Sequence, residues 1–185
     1  SEKMTPQELV DFLNDFFKRM TAPISQNKGF VDKFIGDCVM ALFSIPEEPN
    51  DADALNSVMA AIGMQKQIDS FNIDNNRSGD NMLRAGVGIH SGPVIIGTVG
   101  SEERMESTVT GDTVNLAARL EGLTKFYRSK ILISQSTFEF IDSDSSLEFR
   151  ELDLVRVKGK EEPITIYEVC NSDLEPIREQ KLGSR

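Results

Sequence analysis

Three short stretches of the chain place charged or amide side chains among residues that are otherwise apolar or glycine. In Asp32-Lys33-Phe34-Ile35-Gly36-Asp37, a cation and a carboxylate fall near the tip of a hairpin whose strands are apolar. In Gly111-Asp112-Thr113-Val114-Asn115-Leu116-Ala117-Ala118-Arg119, the amide and the guanidinium are four residues apart and share one face of a helix. Asn115 can donate to an ether oxygen, and Arg119 can fork onto phosphate oxygens. In Val157-Lys158-Gly159-Lys160, two lysines flank a glycine at a strand turn and can touch phosphate. Each stretch also has a plainer reading on its own. Asp favours Gly-Asp turns, Lys33 is equally read as a solvated strand residue, and an Asn/Arg pair is more often a surface hydrogen bond. His90, the one histidine, sits between Ile89 and Ser91-Gly92 with nothing nearby to suggest a catalytic triad, so it reads as structural. No glycine-rich loop of the G-x-x-x-x-G-K-[ST] type is present.

The elements that must carry these residues follow from local pattern. Thr5-Pro6-Gln7-Glu8 is a helix start with a capping box, followed by an apolar stripe of Leu9, Phe12, Leu13, Phe16, Phe17 and Met20. Pro23 is expected to kink or divide this helix, which ends by Lys28-Gly29. Phe30 to Ile35 and Cys38 to Phe43 read as strands around a tight Gly36-Asp37 turn. A helix is expected from about Asp53 to Phe71 and a polar loop over Asn72 to Asn81. Leu83 to His90 and Pro93 to Val99 read as strands joined at Ser91-Gly92. Gly100 to Arg104 reads as a charged turn and Glu106 to Thr110 as extended. Asp112 to Phe126 is a helix, Lys130 to Ser134 a strand and Gln135 to Ile141 a short helix. Phe149 to Val157 and Ile164 to Val169 form a closing strand pair, and Asn171 to Arg185 reads as a polar tail, a linker or a frayed end. Without strict βα alternation the class is α+β, with helices packed on a mixed, largely antiparallel sheet.

Composition narrows the function. The 185 residues suffice for one domain with a full core, expected over 1–170 with the tail at 171–185. A net charge of −10 argues against general nucleic-acid binding, which needs cations to neutralise phosphates. A phosphate ligand would then be held by a few placed cations and metal ions. Cys38 and Cys170 lack metal or disulfide spacing and read as two reduced, buried thiols of an intracellular protein. No apolar run reaches the length of a membrane helix, and SEKMTPQELV is no signal peptide, so a cytoplasmic domain is expected, whether or not the parent protein is membrane-anchored.

Taken together, VDKFIGDCVMALF at 31–43, RAGVGIHSGPVIIGTVGSEERMESTVTGDTVNLAARLEGLTK at 84–125 and VKGKEEPITIYEV at 157–169 resemble the class III adenylyl/guanylyl cyclase catalytic domain, most of all its bacterial-type adenylate cyclases. The resemblance implies a ferredoxin-like α+β fold that works as a homodimer with active sites between two domains. It implies two Mg²⁺ or Mn²⁺ ions, held by two Asp residues of one subunit. Asp37 resembles the second of these. Lys33 resembles the purine-recognising Lys, and Thr108 occupies the place of the second base-selecting residue. Asn115 resembles the ribose-orienting Asn, Arg119 the transition-state Arg and Lys158 a phosphate-contacting Lys. The implied reaction is conversion of ATP to 3′,5′-cyclic AMP and pyrophosphate, by metal-assisted attack of the ribose 3′ oxygen on the α-phosphorus. Cyclases for GTP usually carry Glu and Cys at the two base-selecting places, so Lys33 with Thr108 favours ATP. The alternatives are a non-catalytic regulatory or nucleotide-binding domain of this fold, or a cyclase for GTP or a pyrimidine nucleotide. Upstream sensor or regulatory domains are expected in the parent chain. The family's first strand, with the first metal-binding Asp, would lie just before Ser1. The residues as they stand are therefore expected to bind metal weakly and to show little or no cyclase activity.

Overall fold

The computed structural model describes residues 5–44, 52–101, 104–141, 146–156 and 163–183, with the backbone alone for 98–101 and 104–108. They fall into two compact units, 1–84 and 85–185.

In the first unit, helix α1 (Pro6–Gln26) begins with the expected reciprocal cap. The Glu8 backbone N–H donates to Thr5 Oγ1 at 3.3 Å, and the Thr5 N–H donates to Glu8 Oε2 at 2.7 Å. The helix passes through Pro23 undivided, so of the expected kink or division the division does not occur. Pro23 is buried where Gly63 of helix α2 (Asp53–Asp74) comes close; a Cβ on Gly63 would lie 2.9 Å from the proline ring. Packing thus outweighs the one hydrogen bond the proline removes. Phe16, Met20 and Ile24 of α1 are buried, and Phe12 meets Phe71 of α2 edge-on at 5.6 Å. Helix α2 continues beyond Phe71 because Asn72 has a structural role. Its buried amide accepts from the Leu83 N–H at 2.7 Å and donates to the Leu83 carbonyl at 3.0 Å. Leu83 therefore lies outside any strand ladder. Strands β1 (Phe30–Ile35) and β2 (Cys38–Leu42) pair antiparallel as expected. Cys38, at the hairpin tip, is exposed rather than buried; Cys170 is buried, and neither is in a disulfide.

The second unit holds a mixed four-stranded sheet. Strand β3 (Val87–Ile89) runs parallel to β6 (Ile131–Ser134), and β6 pairs antiparallel with β8 (Ile164–Val169), which pairs antiparallel with β7 (Phe149–Val155). Strands β4 (Ile95–Ser101) and β5 (Arg104–Thr110) form a separate hairpin. The stretch at Ser91-Gly92 is thus no hairpin turn, and Gly100, Ser101 and Arg104, expected in a charged turn, lie in the paired strands. Helix α3 (Asp112–Tyr127) and the short α4 (Gln135–Glu139) match the pattern read from the residues. Leu120 of α3 packs with Leu132 and Ile166 of the sheet in a fully buried cluster. The expected polar tail is instead ordered: helix α5 (Glu175–Gly183) packs near β7 and ties back to β8 through Lys181. Among the described residues, no helix is long and apolar enough to cross a membrane.

Two glycines set the distance between α3 and β3. A Cβ at Gly88 would lie 2.2 Å from the Glu121 backbone nitrogen and 2.4 Å from the Ala117 carbonyl oxygen, and one at Gly86 would collide with Thr124. Backbone faces backbone at Gly88, so no rotamer change relieves the clash. Gly88→Ala should lower stability by about 1–3 kcal/mol, the usual cost of overpacking. Gly122→Ala, on the exposed face of the same helix with open space around it, should gain about 0.5–1 kcal/mol. Urea midpoints of the two variants check the contrast, and equal midpoints would refute the close-approach account.

Candidate active site

The hairpin presents Lys33 and Asp37 through two local devices. The first is a β-bulge: Val31 pairs with Ala41 and Lys33 with Met40, which leaves Asp32 as the extra residue. The bulge breaks the alternation that would send neighbours to opposite faces. Lys33 Nζ consequently lies 3.3 Å from Asp32 Oδ2, with the Asp32 side chain 10% exposed and that of Lys33 35%. The second device is the turn. Gly36 has φ of +63° and Asp37 does not, the φ signs of a type II′ hairpin turn that wants glycine first. Asp37 thereby stands exposed at the tip, within 4.0 Å of the Cys38 sulfur.

Asp37 suits a metal ion as one ligand. Among the described residues no three His, Cys, Asp or Glu side chains gather to hold an ion. A single accessible carboxylate fits an ion that keeps much of its water and draws further ligands from substrate phosphates.

Asn115 and Arg119 are set by α3. Gly111 precedes the helix at φ +140°, a conformation open to glycine, and Thr113 Oγ1 in the first turn donates to the Pro93 carbonyl at 2.6 Å. Thr113, Leu116, Leu120 and Thr124 form the buried stripe. Asn115 and Arg119 consequently point outward together, both exposed, as their spacing predicts. Thr108 lies in β5 across from Gly97; its side chain, and all of Val157-Lys158-Gly159-Lys160, lie outside the described residues. Lys33 and Asp37 belong to the first unit, and Thr108, Asn115 and Arg119 to the second.

Reading motifs alone missed the residues that hold α3. Gly86, Gly88 and Thr113 are among them, and a G-x-G on a short apolar strand is the signal that could have found the first two. His90 is confirmed as tied into the structure, its Nδ1 lying 2.7 Å from Ser134 Oγ.

A family profile described as the adenylate and guanylate cyclase catalytic domain matches residues 1–170. The chain belongs to that family. It is 44% identical over 174 residues to an adenylate cyclase of Anabaena cylindrica, a match covering 91% of this chain and 34% of that protein. It is 43% identical over 183 residues to the terminal-differentiation-specific adenylate cyclase of Dictyostelium discoideum, covering 98% of this chain and 8% of that one. The chain therefore spans about a third or less of these relatives' length. The crystal structure of the adenylyl cyclase CyaB from P. aeruginosa superimposes with a TM-score of 0.79 at 32% identity, covering 91% of this chain and 85% of that one. The α+β class and the mixed, largely antiparallel sheet agree with the expected cyclase fold.

Proposed function

We propose that this domain is an adenylate cyclase. The ribose 3′ oxygen of ATP bonds to the α-phosphorus as the bond from that phosphorus to the oxygen bridging to the β-phosphorus breaks; the 3′ hydroxyl proton passes to solvent, and pyrophosphate leaves with the electron pair. The observation that carries the reading is Asn115 and Arg119 side by side on the exposed face of a helix locked to β3, in a chain of this family. Arg119 forks onto phosphoryl oxygens as charge grows there, and Asn115 holds the ribose so that attack is in line. Lys158 contacts phosphate. Lys33 donates to a ring nitrogen of adenine, and Thr108 accepts from its amino group. Asp37 holds one of two Mg²⁺ or Mn²⁺ ions, which when bound neutralise phosphate charge and favour ionisation of the 3′ hydroxyl. A homodimer supplies Asp37 from one copy and the base, ribose and phosphate contacts from the other. Exposed Ile95 and Ile96 on the β4–β5 hairpin are consistent with that arm meeting a second copy.

Incubating the full-length protein with each nucleoside triphosphate and identifying the product tests this directly. Cyclic AMP should dominate; a cyclic product from none of them would favour a non-catalytic role. Replacing Lys33 with Glu and Thr108 with Cys should shift the ATP to GTP ratio about tenfold to hundredfold, since each unmatched buried polar group costs about 1–3 kcal/mol. An unchanged ratio would remove both residues from base selection.

A further inference from the structure

We propose that His90, Ser136 and Thr113 form a positioning clamp for the first turn of α3, acting on the reaction proposed above without touching the nucleotide. The clamp sits where β3 ends. His90 Nδ1 lies 2.7 Å from Ser134 Oγ and 3.1 Å from Ser136 Oγ. Ser136 Oγ donates to the Ser91 carbonyl at 2.9 Å, and Ser91 Oγ donates to Thr137 Oγ1 at 3.1 Å. Ser134 and Thr137 are fully buried, and Ser134 also caps α4 by accepting from the Thr137 N–H. The segment 90–91 is thus pinned to the start of α4 by side chain and backbone alike. A buried network of this kind is rigid because each member would be costly to leave unpaired.

The other side of the same segment bears on α3. A Cβ at Gly92 would lie 3.3 Å from His90 Nε2 and 2.8 Å from Thr113 Oγ1, so Gly92 is wedged between the two side chains. One residue on, Pro93 accepts the Thr113 hydroxyl. Thr113 precedes Asn115 by two residues, and Pro93 leads into the hairpin that carries Thr108. Both groups are therefore referenced to one rigid segment. Displacing a reacting group by about 1 Å costs on the order of a hundredfold in rate.

The test uses His90→Leu, His90→Asn and Ser136→Ala in the full-length protein. Asn places a hydrogen-bonding atom near the position of Nδ1, whereas Leu does not. His90→Leu and Ser136→Ala should lower kcat about tenfold to hundredfold with KM for ATP little changed, and His90→Asn should recover most of the loss. Amide hydrogen exchange over 112–119 should quicken in the first two variants and return towards the parent rate in His90→Asn. Unchanged kcat and exchange in Ser136→Ala, or His90→Asn behaving like His90→Leu, would overturn the clamp. If the parent protein makes no cyclic nucleotide, the proposed function fails while the exchange rates still decide the clamp.

Discussion

Arg119→Ala should reduce cyclase turnover by about a hundredfold to a thousandfold, the usual consequence of removing one preorganised donor from a developing oxyanion. The expectation is sharp because Arg119 points away from the core. It lies one turn beyond Asn115 on the outward face of α3, while Leu116 and Leu120 supply the packing. Stability should consequently stay within about 0.5 kcal/mol of the parent, as for other surface substitutions. Arg119→Lys should restore little, because an ammonium cannot reproduce the planar fork. Under the two-copy site proposed above, a heterodimer of Arg119→Ala and Asp37→Ala carries one complete site, so mixing the two variants should recover activity. A mixture no more active than either variant alone would refute the two-copy site, and a large fall in thermal midpoint for Arg119→Ala would mark that residue as structural.

Lys181→Met should destabilise the second unit by about 3–5 kcal/mol, the typical cost of removing one partner from a buried ion pair. Glu168 in β8 is fully buried and accepts from Arg150 at 2.7 and 3.1 Å on one oxygen and from Lys181 Nζ at 2.6 Å on the other. The same ammonium donates to Asp173 at 2.6 Å. Two cations thus balance two anions, and losing Lys181 leaves Asp173 and Glu168 with one. Burial works against the Lys181 ammonium, but its hydrogen bonds to Asp173 and Glu168 outweigh that and raise its pKa above the ordinary 10.5. A group raised on folding contributes fully below its unfolded pKa and loses that contribution only as pH climbs through the folded value. The cost of Lys181→Met should therefore be the same at pH 7 and pH 9. Adding Glu168→Gln to Lys181→Met should cost less than the two separate losses summed. A cost below about 1 kcal/mol by urea denaturation would show that the cluster behaves as an exposed one.

Features set by neighbours in sequence were legible without the structure. The Thr5-Pro6-Glu8 start, the Gly36-Asp37 turn and the outward Asn115/Arg119 pair all depend on residues within one or two turns of each other. What escaped depends on distant partners. Pro23 read as a kink or a division because the space beside it is made by Gly63 in another helix. Ser91-Gly92 looked like a hairpin turn, yet β3 takes its ladder partner from β6, and Ser91 serves residues of α4. The C-terminal helix looked like a solvated tail because Lys181 acquires its meaning from Glu168. Within the site, the identity of Lys33 was legible but its direction was not, because the bulge at Asp32 shows only in the pairing with β2.

The docking of α5 also has a mechanical reading. Glu168 belongs to β8, the strand hydrogen-bonded to β6 on one side and β7 on the other. Lys181 lies in the last turn of α5, so the helix is held to that strand at its far end as well as through the chain that leaves β8, and lifting it means breaking buried ion pairs. Because the fastening is buried and charge-balanced, added salt should loosen it far less than it would a surface pair.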